Sequence, residues 1–177
     1  MNKLNSTYME YSEDVESITE WCNNKYNDLF AKYFKDQRNL AKRLSSDKRS
    51  ITDSELEFIL TDVPLNLFDV SEILATIESE YQAIKLMISK KESDIIKKLD
   101  YSTETAKRRE AEIQCMEDHI LLIAYDRLIS QVNRELSYSR ELIMSAKKLW
   151  DSRRRTDTIN PVSEKSYSDD LQKVYIK

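Results

Sequence analysis

The chain has 177 residues, no glycine, two prolines and a formal charge of -4 with 34% charged residues. Average usage would put roughly a dozen glycines in this length, so Gly-rich phosphate loops, dinucleotide fingerprints and nucleophile elbows are excluded in their usual form. Tight primed hairpins go with them, and the composition predicts a single-domain, all-α protein whose charge balance is neither histone-like nor that of an acidic disordered tail.

In chain order, the acidic opening "MNKLNSTYMEYSEDVESITE" leads into a first helix, predicted over about residues 10–45. Its apolar face runs Ile18, Cys22, Tyr26, Phe30, Tyr33, Leu40 and Leu44, the spacing of an amphipathic helix. "SSDKRS" breaks that pattern. Thr52 followed by Glu55 and Leu56 forms a capping-box signal for a short helix over about 53–60. Pro64 is read as its end, and Asp69 with Glu72 as the start of the next helix, over about 70–99.

That third segment carries Val70, Leu74, Ile77, Tyr81, Ile84, Ile88, Ile95 and Leu99 in heptad-like steps, with Lys91 in a seam position. Ser102 or Thr103 is the expected N-cap of a last long helix over about 103–153. Its face reads Ile113, Met116, Ile120, Leu121, Tyr125, Leu128, Val132, Leu136, Ile143, Ala146 and Trp150. "HILLIAY" is apolar on a wide arc, as expected of a segment buried on two sides. A helix of about 50 residues spans roughly 75 Å, so the expectation is a helical hairpin or coiled-coil bundle that pairs with further copies of itself. Residues 1–155 form the helical domain, and 156–177 are read as a flexible tail whose end "DDLQKVYIK" could serve as a docking motif.

The two cysteines, Cys22 and Cys115, lie far apart, and neither a signal-peptide pattern nor an apolar run of membrane-spanning length accompanies them. Free thiols, a reducing cytoplasmic compartment and no membrane association are the expectation. Abundant Lys, Asn, Ile and Tyr fit an AT-rich coding genome, bacterial, plasmid or phage.

Little of the sequence points to catalysis or metal. Glu112, Cys115 and the lone histidine, His119, share a helical face that zinc could use if another helix completed the site. The simpler reading has Cys115 packing as a small hydrophobe and His119 edging the stripe. Neighbouring carboxylates such as Glu117 with Asp118, or Asp169 with Asp170, point in different directions on a helix. No nucleophile, base and orienting group come together, so a non-enzymatic protein without cofactor or metal is expected.

The basic clusters carry more information. Between Lys32 and Arg49 seven basic residues stand against Asp36 and Asp47, with Lys35, Arg38 and Lys42 on one face beside Tyr33 and Phe34. Between Lys147 and Arg155 five stand against Asp151, around Trp150. Lys107, Arg108 and Arg109 make a third group. Lysine and arginine gain by releasing counterions from phosphates, and aromatic rings stack on unpaired bases whatever their sequence. The candidate nucleic-acid-binding residues are therefore Lys42, Arg43, Lys147, Lys148, Trp150, Arg153, Arg154 and Arg155. A solvated helix end gives the same pattern, because positive charge there complements the macrodipole, and Trp150 also continues the apolar seam.

Segment 102–155, "STETAKRREAEIQCMEDHILLIAYDRLISQVNRELSYSRELIMSAKKLWDSRRR", resembles the last long helix of phage recombination mediator proteins of the UvsY type. A T-x-A-x-R-like start runs through acidic and apolar turns to a basic, aromatic-containing close. The matching positions are Thr103, Thr105, Ala106, Arg108, Lys147, Lys148, Trp150 and Arg153. The resemblance covers about a third of the chain, which departs from the pattern in its longer N-terminal region, absent glycine and Pro161-bounded tail. It implies a small helical oligomer that binds single-stranded DNA, contacts the single-strand binding protein and the recombinase, and helps load the recombinase. A rival from the residues alone is a helical protein-interaction module (adaptor, assembly factor or inhibitor) that engages partners through the acidic N-terminus and the C-terminal tail, without nucleic acid.

Overall fold

The computed structural model describes the backbone of residues 3–100 and 103–159, and side chains for 15–100 and 103–155. The expected tail motif "DDLQKVYIK" lies outside the described residues. Among the described residues there are five α-helices, α1 (Lys3–Leu29), α2 (Ala31–Ser46), α3 (Asp53–Lys98), α4 (Glu104–Gln114) and α5 (Met116–Ile159), with a short 3-10 turn at Lys48–Ser50. The all-α expectation holds, with no strand among the described residues.

The helix starts are set by local hydrogen bonds. The Thr52 hydroxyl accepts from the Glu55 N–H at 3.2 Å, and the Glu55 carboxylate accepts from the Thr52 N–H at 2.9 Å, completing the capping box. Asp47 accepts from the Arg49 N–H at 2.9 Å and so shapes the 3-10 turn. Thr103 caps α4 through the Ala106 N–H at 3.3 Å.

Several expected boundaries differ from the structure: α1 starts at Lys3 rather than near residue 10, and α5 runs past residue 153 to Ile159, into the stretch read as tail. Pro64 does not end a helix: α3 runs unbroken from Asp53 to Lys98, roughly 69 Å at 1.5 Å per residue, and Asp69 starts nothing. The Pro64 ring lies on the exposed side, whereas Leu56, Ile59, Val63 and Val70 keep helical spacing on the buried side across it. Packing both halves against the same neighbours outweighs the lost hydrogen bond to the Leu60 carbonyl. The first helix, in contrast, breaks at Phe30 (φ -120°, ψ -30°), whose side chain is fully buried. The break hands the buried stripe from Phe30 to Phe34, Gln37, Leu40 and Leu44, leaving Tyr33 half-buried. The last helix breaks at Cys115 (φ -103°, ψ 13°), whose N–H is shared between the carbonyls of Ala111 at 3.0 Å and Glu112 at 3.2 Å.

That second break corrects the face expected for the last helix. Ile113 and Met116 are exposed, at 56% and 48%, while Ala111 and Cys115 turn inward. From Ala124 onward the expected seam is met by buried Tyr125, Leu128, Val132, Leu136 and Ala146. Both cysteines are free thiols.

The chain folds back on itself twice. Asp53 faces Arg153, Glu80 faces Tyr125 and Glu92 faces His119, so α3 lies antiparallel to α4 and α5. Thr19 meets Arg127, Arg38 meets Glu135, and Leu40 and Leu44 pack with Leu142 and Ala146, so α1 and α2 run parallel to α5. Much of the seam of these long helices is thus filled within one chain. A central core joins Cys22, Tyr26, Phe30 and Phe34 to Val70, Leu74 and Ile77 and to Leu128 and Val132. A second, at the α2–α3 end, joins Leu40, Leu44, Ile51, Leu56 and Ile59 to Leu142 and Ala146. Each fully buried side chain of this size contributes about 1.5–3 kcal/mol.

Candidate nucleic-acid interface

Because α2 and α5 run parallel, their C-terminal portions meet at one end of the molecule. The chain reversal through the 3-10 turn adds the first residues of α3 to that end. Residues 42–55 and 147–155 together bring nine basic side chains against Asp47, Asp53, Glu55 and Asp151, a positive end on a net acidic chain.

Between α2 and α5 lies a groove of about 920 Å³, near the upper end of the range of about 300–1,000 Å³ usual for ligand sites. Lys42, Lys48 and Lys148 stand on it, all exposed and forming no ion pair among the described residues. Tyr138 lines it while remaining 62% exposed. Toward its other end Arg38 is held by Glu135 and donates to the Tyr26 hydroxyl at 2.7 Å. Burial, with Glu135 adding and Arg38 opposing, pushes the Tyr26 phenol up to about 12, so it stays protonated beside the groove.

The groove floor holds a polar side chain where the helical spacing calls for an apolar one. Gln37, only 3% exposed, lies on the buried stripe of α2 between Phe34 and Leu40. Its Nε2 donates to the Tyr33 carbonyl at 2.6 Å, and its Oε1 is buried with no donor within reach.

The residues predicted for nucleic-acid contact separate by environment. Lys42 and Lys148 line the groove; Lys147, Arg154 and Arg155 are exposed at the same end. Arg43 donates to Glu55 at 2.5 Å and to the Ser50 carbonyl, closing α2 onto the start of α3. That hydrogen bond, with the Thr52 N–H, draws the Glu55 carboxyl down to about 2. Arg153 reaches from α5 to Asp53 at 2.5 Å and to the Ile51 carbonyl at 2.6 Å. Trp150 is half-buried and packs against the second core, which places its body at the core edge. The sequence reading did not single out Gln37 or Tyr138. A polar residue in the apolar register of Phe34, Leu40 and Leu44 was the available signal for Gln37; Tyr138 had none.

The zinc-like face resolves differently. Cys115 is buried, its thiol pushed up mainly by burial, and His119 Nε2 lies 2.8 Å from Glu92 Oε1. Lys91 donates to Asp118 at 2.6 Å across the same helix pair. Among the described residues no group of three or more His, Cys, Asp or Glu is arranged to hold a metal ion, and no helix is long and apolar enough to cross a membrane. Comparison with family models, curated proteins and solved structures found no match to this chain, so the functional reading rests on its own residues.

Proposed function

We propose that this chain is a non-enzymatic helical protein that binds single-stranded DNA across its basic end, acting as a homo-oligomer that offers the strand to a recombinase alongside a single-strand binding protein. The observation that carries the binding is the set of unpaired lysines, Lys42, Lys48 and Lys148, around a groove with an exposed tyrosine. Phosphates gain from such lysines through counterion release, and an exposed ring gives an unpaired base a stacking surface. The loading role rests on the UvsY-like pattern of segment 102–155. Cytoplasmic location follows from that role.

The test is fluorescence anisotropy with labelled single-stranded and duplex DNA across a salt series. Three phosphate contacts per chain give a slope of log affinity against log salt of roughly -2 for a single strand, and an oligomer steepens it. Salt-sensitive binding that prefers the single strand is expected. No binding at low salt overturns the reading.

A second reading, a protein-interaction module, is favoured by apolar side chains left exposed: Leu65, Phe68, Leu86 and Met87 on α3, Ile113 on α4, and Met116 and Ile123 on α5. Under that reading the chain binds no DNA at low salt, and replacing Ile113, Met116 and Ile123 by serine abolishes its self-association in light scattering.

A further inference from the structure

We propose that the α2–α5 groove takes an unpaired nucleobase, with Gln37 Oε1 accepting from its Watson–Crick edge, Tyr138 stacking on its face, and Lys42, Lys48 and Lys148 holding the flanking phosphates. This rests on the single-strand reading above and adds what selects an unpaired strand over a duplex. Gln37 is the central observation: its Nε2 is anchored on the Tyr33 carbonyl while Oε1 is buried and lacks a donor. A buried acceptor without a partner is costly to the fold, and such exceptions call for a cause. An occupant that brings an N–H donor satisfies Oε1 once the amide turns toward the groove, exchanging the Nε2 bond to the Tyr33 carbonyl for bonds to the donor and acceptor of the base edge.

The lining narrows the occupant. Lys42, Lys48 and Lys148 ask for negative charge, the exposed Tyr138 ring asks for a planar face, and Gln37 asks for a donor. A nucleotide unit supplies all three. Each base carries at least one N–H on its pairing edge: N3 of thymine, N4 of cytosine, N6 of adenine, and N1 and N2 of guanine. In a duplex those donors are consumed by pairing and the base faces by stacking, so only an unpaired strand can offer both. Because every base has a donor and a face, the site is tolerant of sequence.

Two fluorescent oligonucleotides of equal length test this on the full chain: oligo-dT, and an abasic strand with the same phosphates and no bases. Oligo-dT is expected to bind roughly ten-fold or more tightly than the abasic strand, the scale of one stacked and hydrogen-bonded base. Tyr138→Ala and Gln37→Leu are each expected to shrink that ratio toward one by weakening the binding of oligo-dT. Gln37→Leu is also expected to raise the thermal midpoint, since it replaces an unsatisfied buried acceptor by an apolar group of similar size. A purely structural glutamine would move the midpoint and leave the ratio intact, which overturns its role. Equal affinity of the wild-type chain for both strands overturns the base site while sparing the phosphate reading; binding to neither overturns both.

Discussion

Arg153 illustrates how a basic residue chosen from sequence as a phosphate ligand can have a structural duty that competes with that role. Its guanidinium bonds Asp53 at 2.5 Å and the Ile51 carbonyl at 2.6 Å, joining the end of α5 to the residue just before the α3 cap. The Ile51 side chain is only 1% exposed, so this bond closes over the second core. A hydrogen bond from a charged donor is worth about 1.5–3 kcal/mol. Asp53, with its side chain 77% exposed, adds at most about 1 kcal/mol. Arg153→Ala is therefore expected to cost roughly 2–3 kcal/mol, and at about 2–4 °C per kcal/mol for a chain of this size the thermal midpoint falls by about 4–12 °C. Arg153→Lys keeps the charge and can satisfy only one of the two acceptors, so it recovers part of the midpoint. Melts followed by far-ultraviolet circular dichroism, run beside DNA anisotropy below the transition, separate the two duties. A midpoint unchanged within about 1 °C in Arg153→Ala, together with a collapse in DNA affinity, would refute the latch and return Arg153 to the ligand set.

Three further outcomes follow from the same geometry. Pro64→Ala is expected to stabilise the protein by about 1–3 kcal/mol, because a residue with an N–H restores the bond to the Leu60 carbonyl inside a continuous helix; urea unfolding reads it, and a loss of stability would mean that α3 needs the proline. Ile113→Glu should leave the thermal midpoint nearly unmoved while Cys115→Glu unfolds the chain, since one position is exposed and the other buried; the reverse order would restore the sequence-derived face. Glu55, held at about 2 when folded against 4.5 ordinarily, favours the folded state above about pH 4.5, and that contribution is lost as pH falls toward 2. Glu55→Gln is expected to flatten the urea midpoint across that window, and a profile as steep as the parent's would show that other carboxylates govern acid unfolding.

Much of the local design is legible in the residues. The absence of glycine and the long apolar periods dictate helices, Thr52 with Glu55 and Thr103 mark two helix starts through hydrogen bonds spanning three residues, and the stripe from Ile18 to Phe30 names a core face correctly. These features depend on neighbours in the chain, so sequence suffices to see them. Tertiary packing decided the rest. It carried α3 through Pro64, because flanking side chains shared a buried face, and it broke the other helices at Phe30 and Cys115, whose side chains are fully buried. It turned Ile113 and Met116 to solvent and committed Arg43 and Arg153 to bonds with α3 and its preceding turn. The groove itself exists only because two chain reversals set α2 beside α5, bringing Gln37 and Lys42 to Tyr138 and Lys148. Residues about a hundred positions apart meet there through the energetics of burial, which periodicity along one helix cannot encode.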